Sequence, residues 1–200
     1  MKGNKIFLLL LLILLSCSEK TPKKQPKSYN PSEEISQVLT VEDAQKYFDL
    51  GEKSRIKGDF KSAHNFLNQA LKYEESPIIY NELGITASAE KKYDNAIKYF
   101  AESKKLDSEY WPTYINESIV YIVTKKPEKA EELLLNMIKK CDSDYFISFA
   151  NLHLAVAYSQ NNQDCEKALN CLKKTELIES DARIKEKVEH LKSKVKNNCR

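Results

Sequence analysis

The sequence predicts an all-α protein made of repeated helix hairpins, and three observations support this fold class. Lys, Glu, Leu and Ala fill the chain after position 40, and these residues favour helix. Small and apolar residues then recur every 33 to 35 residues, a spacing typical of helical repeats. The 200-residue chain has only 4 Gly and 6 Pro, which argues against a loop-rich fold.

The first two repeat units carry matching residues at an offset of 33. Each unit has a Leu-Gly pair, a polar turn, and then a series of small and large residues. Two further units match in part, because Glu117 stands where Leu is expected and one residue is inserted before Ala168. The matching positions are Leu50-Gly51, Gly58-Asp59, Ala63, Leu67 and Ala70; Leu83-Gly84, Lys91 to Tyr93, Ala96, Phe100 and Ser103; Ser118, Tyr121, Pro127, Ala130, Leu134 and Met137; and Leu154-Ala155, Tyr158, Ala168 and Leu172.

These positions resemble the tetratricopeptide repeat, a helix-turn-helix unit of about 34 residues. The resemblance covers about residues 42–180 and implies a right-handed α-solenoid of about four helix hairpins. One such unit cannot bury its apolar face alone, so successive units must stack. A final amphipathic helix over about 182–197 would cap the stack, and its apolar residues at helical spacing are Ile184, Val188, Leu191 and Val195.

The N-terminus predicts an export signal. Lys2 and Lys5 precede an unbroken apolar run over residues 6–15, and a small residue follows, as in secretory signals. A membrane-spanning helix is the weaker interpretation, because a span needs about 20 apolar residues. Residues 18–40 are rich in Lys, Ser and Pro, which predicts a flexible linker.

Leu14-Leu15-Ser16-Cys17 resembles the lipobox of bacterial lipoproteins, in which the Cys receives a diacylglycerol. The resemblance implies that residues 1–16 are removed and that 17–40 form a lipidated tether for a repeat domain over 41–200. It also implies a lipid-anchored protein of the bacterial cell envelope, and Ser18 points to the outer membrane. The alternative is an ordinary signal peptide with an incidental Cys.

Four cysteines follow the predicted lipidation site. Cys165 should begin the second helix of unit four, and Cys199 should end the antiparallel cap helix, so we predict a disulfide between them. The alternative is that these thiols are buried and unbonded. Cys141 and Cys171 are expected to be small core residues. The cysteine spacings lack close CxxC pairs, so no metal site is expected.

No catalytic residues or cofactor sites are predicted. His64, His153 and His190 are scattered over different units, and the chain lacks the metalloprotease, phosphate-loop and nucleophile-elbow motifs. The net charge of +3 comes from the N-terminal region, which leaves the repeats near neutral. Neither nucleic acid nor a small-molecule substrate is therefore expected as a partner. Asp142 and Asp144 flank a turn and are expected to cap the next helix.

By resemblance, the first helices of stacked hairpins line a concave groove that binds a protein or peptide partner. Asn81, Asn116 and Asn151 recur 35 residues apart, which suggests amides that bind a peptide backbone, although plain polar surface is the alternative. Asp49 and Glu52 stand where some tetratricopeptide domains carry a basic clamp for a carboxylate, so that clamp is not expected. The residues predicted to line the groove are Phe48, Asp49, Glu52, Asn81, Ile85, Ile115, Asn116, Ile119, Leu152 and His153.

These features predict a membrane-anchored adaptor or scaffold in an envelope complex. A second hypothesis is a chaperone-like or regulatory subunit that delivers exported clients. An envelope enzyme is a third, and nothing in the sequence singles out a catalytic pair.

Overall fold

The computed structural model describes residues 39–160, 164–175 and 182–198. These residues form α-helices and no strand. In chain order the helices are α1 Glu42–Ile56, α2 Phe60–Tyr73, α3 Pro77–Ala89, α4 Tyr93–Leu106, α5 Trp111–Val123, α6 Pro127–Lys140, α7 Asp144–Gln160, α8 Cys165–Leu172 and α9 Ala182–Asn198.

The predicted signal peptide, the lipidation site Cys17, the linker up to residue 38 and Cys199 lie outside the described residues. Within the described ranges, no helix combines the length and the apolar character that crossing a bilayer requires.

The helices α1 to α8 pair into four hairpins, and each hairpin packs on the next. The cap helix α9 then packs on α7 and α8, with Val188 and Val195 buried. The prediction of an all-α solenoid of about four hairpins with a C-terminal cap is therefore confirmed. Ala63, Ala96, Ala130 and Ala168 are all 0% exposed, so a small residue stands at each tight contact of the second helices.

Two glycines allow the first and second helices of their hairpins to approach closely. A Cβ built on Gly51 would lie 2.7 Å from Leu67 Cγ, and one on Gly84 would lie 2.6 Å from Phe100 Cδ1. Both distances are too short for two carbon atoms that are not bonded to each other, so each position requires glycine unless the neighbouring side chain moves. The Leu-Gly pairs of the sequence thus mark the tightest contacts within a hairpin.

The turns inside the first three hairpins use left-handed backbone at equivalent positions. The φ angle is 79° at Gly58, 63° at Lys91 and 60° at Lys125. Glycine adopts this conformation freely, whereas a residue with a Cβ pays about 1 kcal/mol or more. The second and third turns are therefore strained where the first is not.

Consecutive first helices contact each other, since α1 meets α3, α3 meets α5, and α5 meets α7. No comparable contact joins consecutive second helices among the described residues. The first helices therefore lie on the shorter, inner side of the curved stack, and the second helices lie on its outer side.

The start of α7 differs from the sequence prediction. The backbone N–H of Phe146 donates to the Ser143 hydroxyl at 3.4 Å, and Asp144 is already the first residue of the helix. The prediction that Asp142 and Asp144 cap this helix is wrong, because the residue between them occupies the capping position.

Candidate functional site

The inner face consists of the exposed and half-buried side chains of α1, α3, α5 and α7. Three residues predicted to line it belong instead to the core, since Phe48, Asn81 and Ile115 are 9%, 6% and 8% exposed. They are buried because an inner helix packs against its own second helix and against first helices of neighbouring hairpins. The other predicted residues are accessible to different degrees: Asp49, Glu52 and Ile119 are exposed, and Ile85, Asn116, Leu152 and His153 are half-buried.

The asparagine amides hold the inner helices rather than pointing freely into a groove. Asn116 Nδ2 donates to Asn81 Oδ1 at 3.1 Å, which links α5 to α3. Asn151 Nδ2 donates to the carbonyl oxygen of Ile147 within α7 at 2.8 Å. The interpretation of these amides as a peptide-binding ladder is therefore corrected. Asn81, Asn116 and Asn151 lie two, one and three residues before Leu83, Glu117 and Leu154, so they occupy different positions in their repeat units.

His153 joins α7 to α5. Its Nδ1 lies 3.0 Å from the Ser118 hydroxyl oxygen, and burial lowers the pKa of its ring to about 4. The ring is consequently neutral at physiological pH. Gln160 adds a second link by donating its side-chain amide to the carbonyl oxygen of Ile122 at 3.2 Å. The contact with Ser118 gives His153 a structural role.

Two buried carboxylates join neighbouring hairpins, and sequence analysis did not assign them. Glu82 pairs with Arg55 of the preceding first helix, and Glu117 pairs with Lys104 of the preceding second helix. The Tyr121 hydroxyl also donates a hydrogen bond to Glu117 Oε1 at 3.1 Å. Burial raises the pKa of Glu82, and Arg55 opposes that rise. The sequence signal was Glu117 itself, a charge at a position where the repeat expects Leu.

Apolar side chains remain exposed on the inner helices. Ile119 is 39% exposed, and Ile56 and Val123 are 71% and 48% exposed. Ile56 and Val123 end α1 and α5, and the exposed Ala89 ends α3 at the equivalent position. Sequence analysis identified Ile119 but missed the helix ends, although their 33- and 34-residue spacing follows the repeat.

Charged and apolar side chains lie on different helices of the inner face. On α1 the exposed residues include Asp49 and Glu52 together with Lys46 and Lys53, so the charges of this helix are mixed. On α3 and α5 the accessible residues include the apolar Ile85, Ile119 and Val123. Such a surface suits a peptide with apolar side chains.

The cysteines fall into two groups. Cys141 and Cys171 are buried at 7% and 9% exposure, which confirms that they are core residues. Cys165 is disulfide-bonded. Cys199 lies outside the described residues, so the Cys165–Cys199 pairing stays a prediction. In the described ranges no cluster of three or more His, Cys, Asp or Glu residues could hold a metal ion.

YrrB and MamA are among the solved structures that resemble this one. YrrB, a TPR protein with an unusual peptide-binding site, matches with a TM-score of 0.57 and 19% sequence identity over 75% of this chain and 74% of YrrB. The RS-1 ArsTM double mutant of MamA matches with a TM-score of 0.56 and 17% identity over 80% of this chain and 96% of that one. No protein-family model and no curated protein matches the chain. The likeness shows that the chain has the tetratricopeptide-repeat fold.

Proposed function

We propose that this chain is a protein–protein interaction module whose inner face binds a peptide segment of a partner. The observation that carries the proposal is the pair of exposed apolar side chains Ile119 and Val123, one turn apart on the inner helix α5. Burial of such side chains against a partner contributes about 25 cal/mol per Å² of apolar area. The similar fold of YrrB, which has a peptide-binding site, supports the proposal. We assign the chain no catalytic role.

A matched pair of variants tests this proposal. Ile119 on the inner α5 and Leu135 on the outer α6 are both 39% exposed, so an Asp at either site costs similar folding energy. Peptides selected from a random library on the full-length chain should bind Leu135→Asp normally and Ile119→Asp about tenfold more weakly, a loss of about 1.4 kcal/mol. Equal affinity for both variants would contradict binding at the inner face.

We further propose that the module is held at a membrane by lipid on Cys17 and acts as an adaptor or scaffold in the bacterial cell envelope, at the outer membrane. The lipobox-like Leu14-Leu15-Ser16-Cys17 supports the anchor, because two or more acyl chains hold a protein firmly on a bilayer. Replacing Cys17 with Ala should move the protein from the membrane fraction to the soluble fraction. A variant that stays membrane-bound would remove the anchor from the proposal.

The second candidate is a chaperone-like subunit that delivers exported clients. Exposed apolar side chains at Ile56, Ile119 and Val123 are compatible with it, because unfolded clients bind apolar surfaces. Crosslinking in cells followed by mass spectrometry separates the candidates. A scaffold should yield a few partners in fixed stoichiometry, whereas a carrier should yield many transient ones.

A further inference from the structure

The inner helices α3, α5 and α7 differ from the outer helices in charge. Within these three helices, which the structure describes in full, the Asp, Glu, Lys and Arg residues are limited to Glu82, Glu117 and Asp144. Glu82 and Glu117 are buried in ion pairs, and Asp144 lies in the first turn of α7. The outer helices α4 and α6 instead expose Lys and Glu side chains along their length. Beyond Asp144, the accessible surface of the three inner helices therefore carries no charge.

Apolar side chains form a row across these three helices. The row consists of Ile85, Ile119 and Val156, and each directly follows the small residue of its own repeat unit, so the three positions are equivalent. Ile119 is 39% exposed, and the other two are half-buried. The equivalent residue of α1 is Glu52, so the row begins at α3. Apolar side chains on a surface depleted of charge are typical of the core of a protein–protein interface.

The polar side chains between the inner helices are engaged within the stack. The side-chain amide of Asn116 donates to Asn81, and that of Gln160 donates to the carbonyl oxygen of Ile122. An extended peptide bound here would need partners for its own N–H and C=O groups, whereas a helix bonds these groups internally. A helix can therefore cover this face without leaving its backbone unpaired.

The spacing of the row also fits a helix. Packed helices lie about 8–10 Å apart, and residues seven positions apart on one face of a helix are separated by about 10.5 Å. Side chains on one side of an extended peptide instead repeat about every 6.8 Å. A helix that crosses α3, α5 and α7 can therefore place one apolar side chain against each member of the row.

We propose that the inner face over α3, α5 and α7 binds a partner helix whose contacting stripe is apolar and uncharged. This inference rests on the proposed function and specifies the kind of segment that the inner face binds. A charged side chain in the stripe would lose its water without gaining a partner of opposite charge, which is costly. Charged residues on the opposite side of the bound helix would stay in solvent.

The test uses the full-length chain and a labelled synthetic helix with Leu at helical spacing on one face and Gln, Lys and Glu on the other. Glu in place of a central Leu should weaken binding about tenfold or more in fluorescence anisotropy, because that carboxylate would be desolvated without a cation. The control probe carries Glu in place of a Gln on the solvent face. It should bind within about twofold of the parent helix.

Proline probes separate a helix from an extended segment. Pro at the centre of the probe breaks a helix, whereas Pro at the first helical position is tolerated. The central Pro should weaken binding about tenfold or more, and the N-terminal Pro should change it by less than about twofold. The proposal would be overturned by equal binding of the two Pro probes, by equal binding of the two Glu probes, or by no binding of the parent helix.

This inference and the proposed function can fail separately. Peptides selected on the chain may bind Ile119→Asp more weakly while the parent helix fails to bind or tolerates the central Pro. The inner face would then bind a segment that is not a helix, and this inference alone would fail. If Ile119→Asp and Leu135→Asp bind both the selected peptides and the parent helix equally well, the inference and the proposed function fail together.

Discussion

The inner and outer helices of this solenoid are stabilised differently. In the outer helix α4 the buried residues are Ala96, Phe100 and Ser103, which form one narrow stripe. In the inner helix α3 seven residues are buried, including the polar Asn81 and Glu82. An outer helix thus buries one face, whereas the inner helices α3, α5 and α7 have neighbours on several sides and bury seven or eight residues each, some of them polar. The inner helix α1, at the end of the stack, buries only three.

This difference has a functional consequence. The polar groups of the inner helices are occupied by bonds between repeats, as in the pairs Asn81–Asn116, Arg55–Glu82 and Ser118–His153. The side chains left exposed there include apolar ones such as Ile119 and Val123. The inner layer therefore combines rigid polar links with an apolar surface that can bind a partner.

The largest effect is expected in the outer layer. Phe100 is 0% exposed and fills the space beside Gly84, so Phe100→Ala should lower the free energy of unfolding by about 3–5 kcal/mol. Urea denaturation followed by circular dichroism measures this loss. Lys98→Ala on the exposed side of the same helix is the control and should change stability little. A loss below about 1 kcal/mol for Phe100→Ala would show that α4 is not held by its apolar stripe.

The inner layer should be sensitive to acid through His153. Its pKa of about 4 in the fold lies below the ordinary 6.5, so the unfolded chain takes up the proton first. Stability from this group is fully present above pH 6.5 and is lost as the pH falls towards 4, by about 3 kcal/mol in total. The difference in unfolding free energy between the wild type and His153→Gln should shrink over this range. A His153→Gln curve that runs parallel to that of the wild type would refute a ring kept neutral by the fold.

The contact between the layers should respond to a single methyl group. Gly84→Ala places a Cβ 2.6 Å from Phe100 Cδ1, and relieving that overlap should cost about 1–3 kcal/mol. Because the ring is the obstacle, Gly84→Ala should cost less when combined with Phe100→Leu than when made alone, as measured in a double-mutant cycle. Strict additivity would contradict the direct contact.

The smallest expected effect is a gain in stability. Lys91 has a φ angle of 63°, so Lys91→Gly should relieve backbone strain and raise the thermal midpoint, with a stabilisation of about 0.5–1 kcal/mol. Lys92→Gly is the matched control, since Lys92 has an ordinary φ angle of −86°. A lower midpoint for Lys91→Gly would mean that the Lys91 side chain contributes more than the strain removes.

The outer layer was the more predictable one from sequence. Its Ala63, Ala96, Ala130 and Ala168 follow the repeat and are all buried, because a helix with one buried face shows a simple period.

The partial match of the third unit at Glu117 reflects an ion pair with Lys104, which lies on the preceding helix. Local periodicity contains no information about such a pairing.

The inner face was only partly predictable for a related reason. Sequence offsets place Phe48, Asn81 and Ile115 on the groove side, yet all three are buried by neighbouring hairpins. The degree of burial depends on how closely consecutive first helices approach, which a repeat period does not determine. The exposed ends Ile56 and Val123 became visible only once the helix boundaries were known.

The most direct test of the central claim is photo-crosslinking in living cells with the full-length chain. A photoreactive amino acid replaces either Ile119 on the inner side or Leu135 on the outer side, two positions of equal 39% exposure. The account predicts a discrete crosslinked partner from position 119 and none of that partner from position 135. Crosslinking of the partner from position 135 alone, or equally from both, would contradict binding at the inner face.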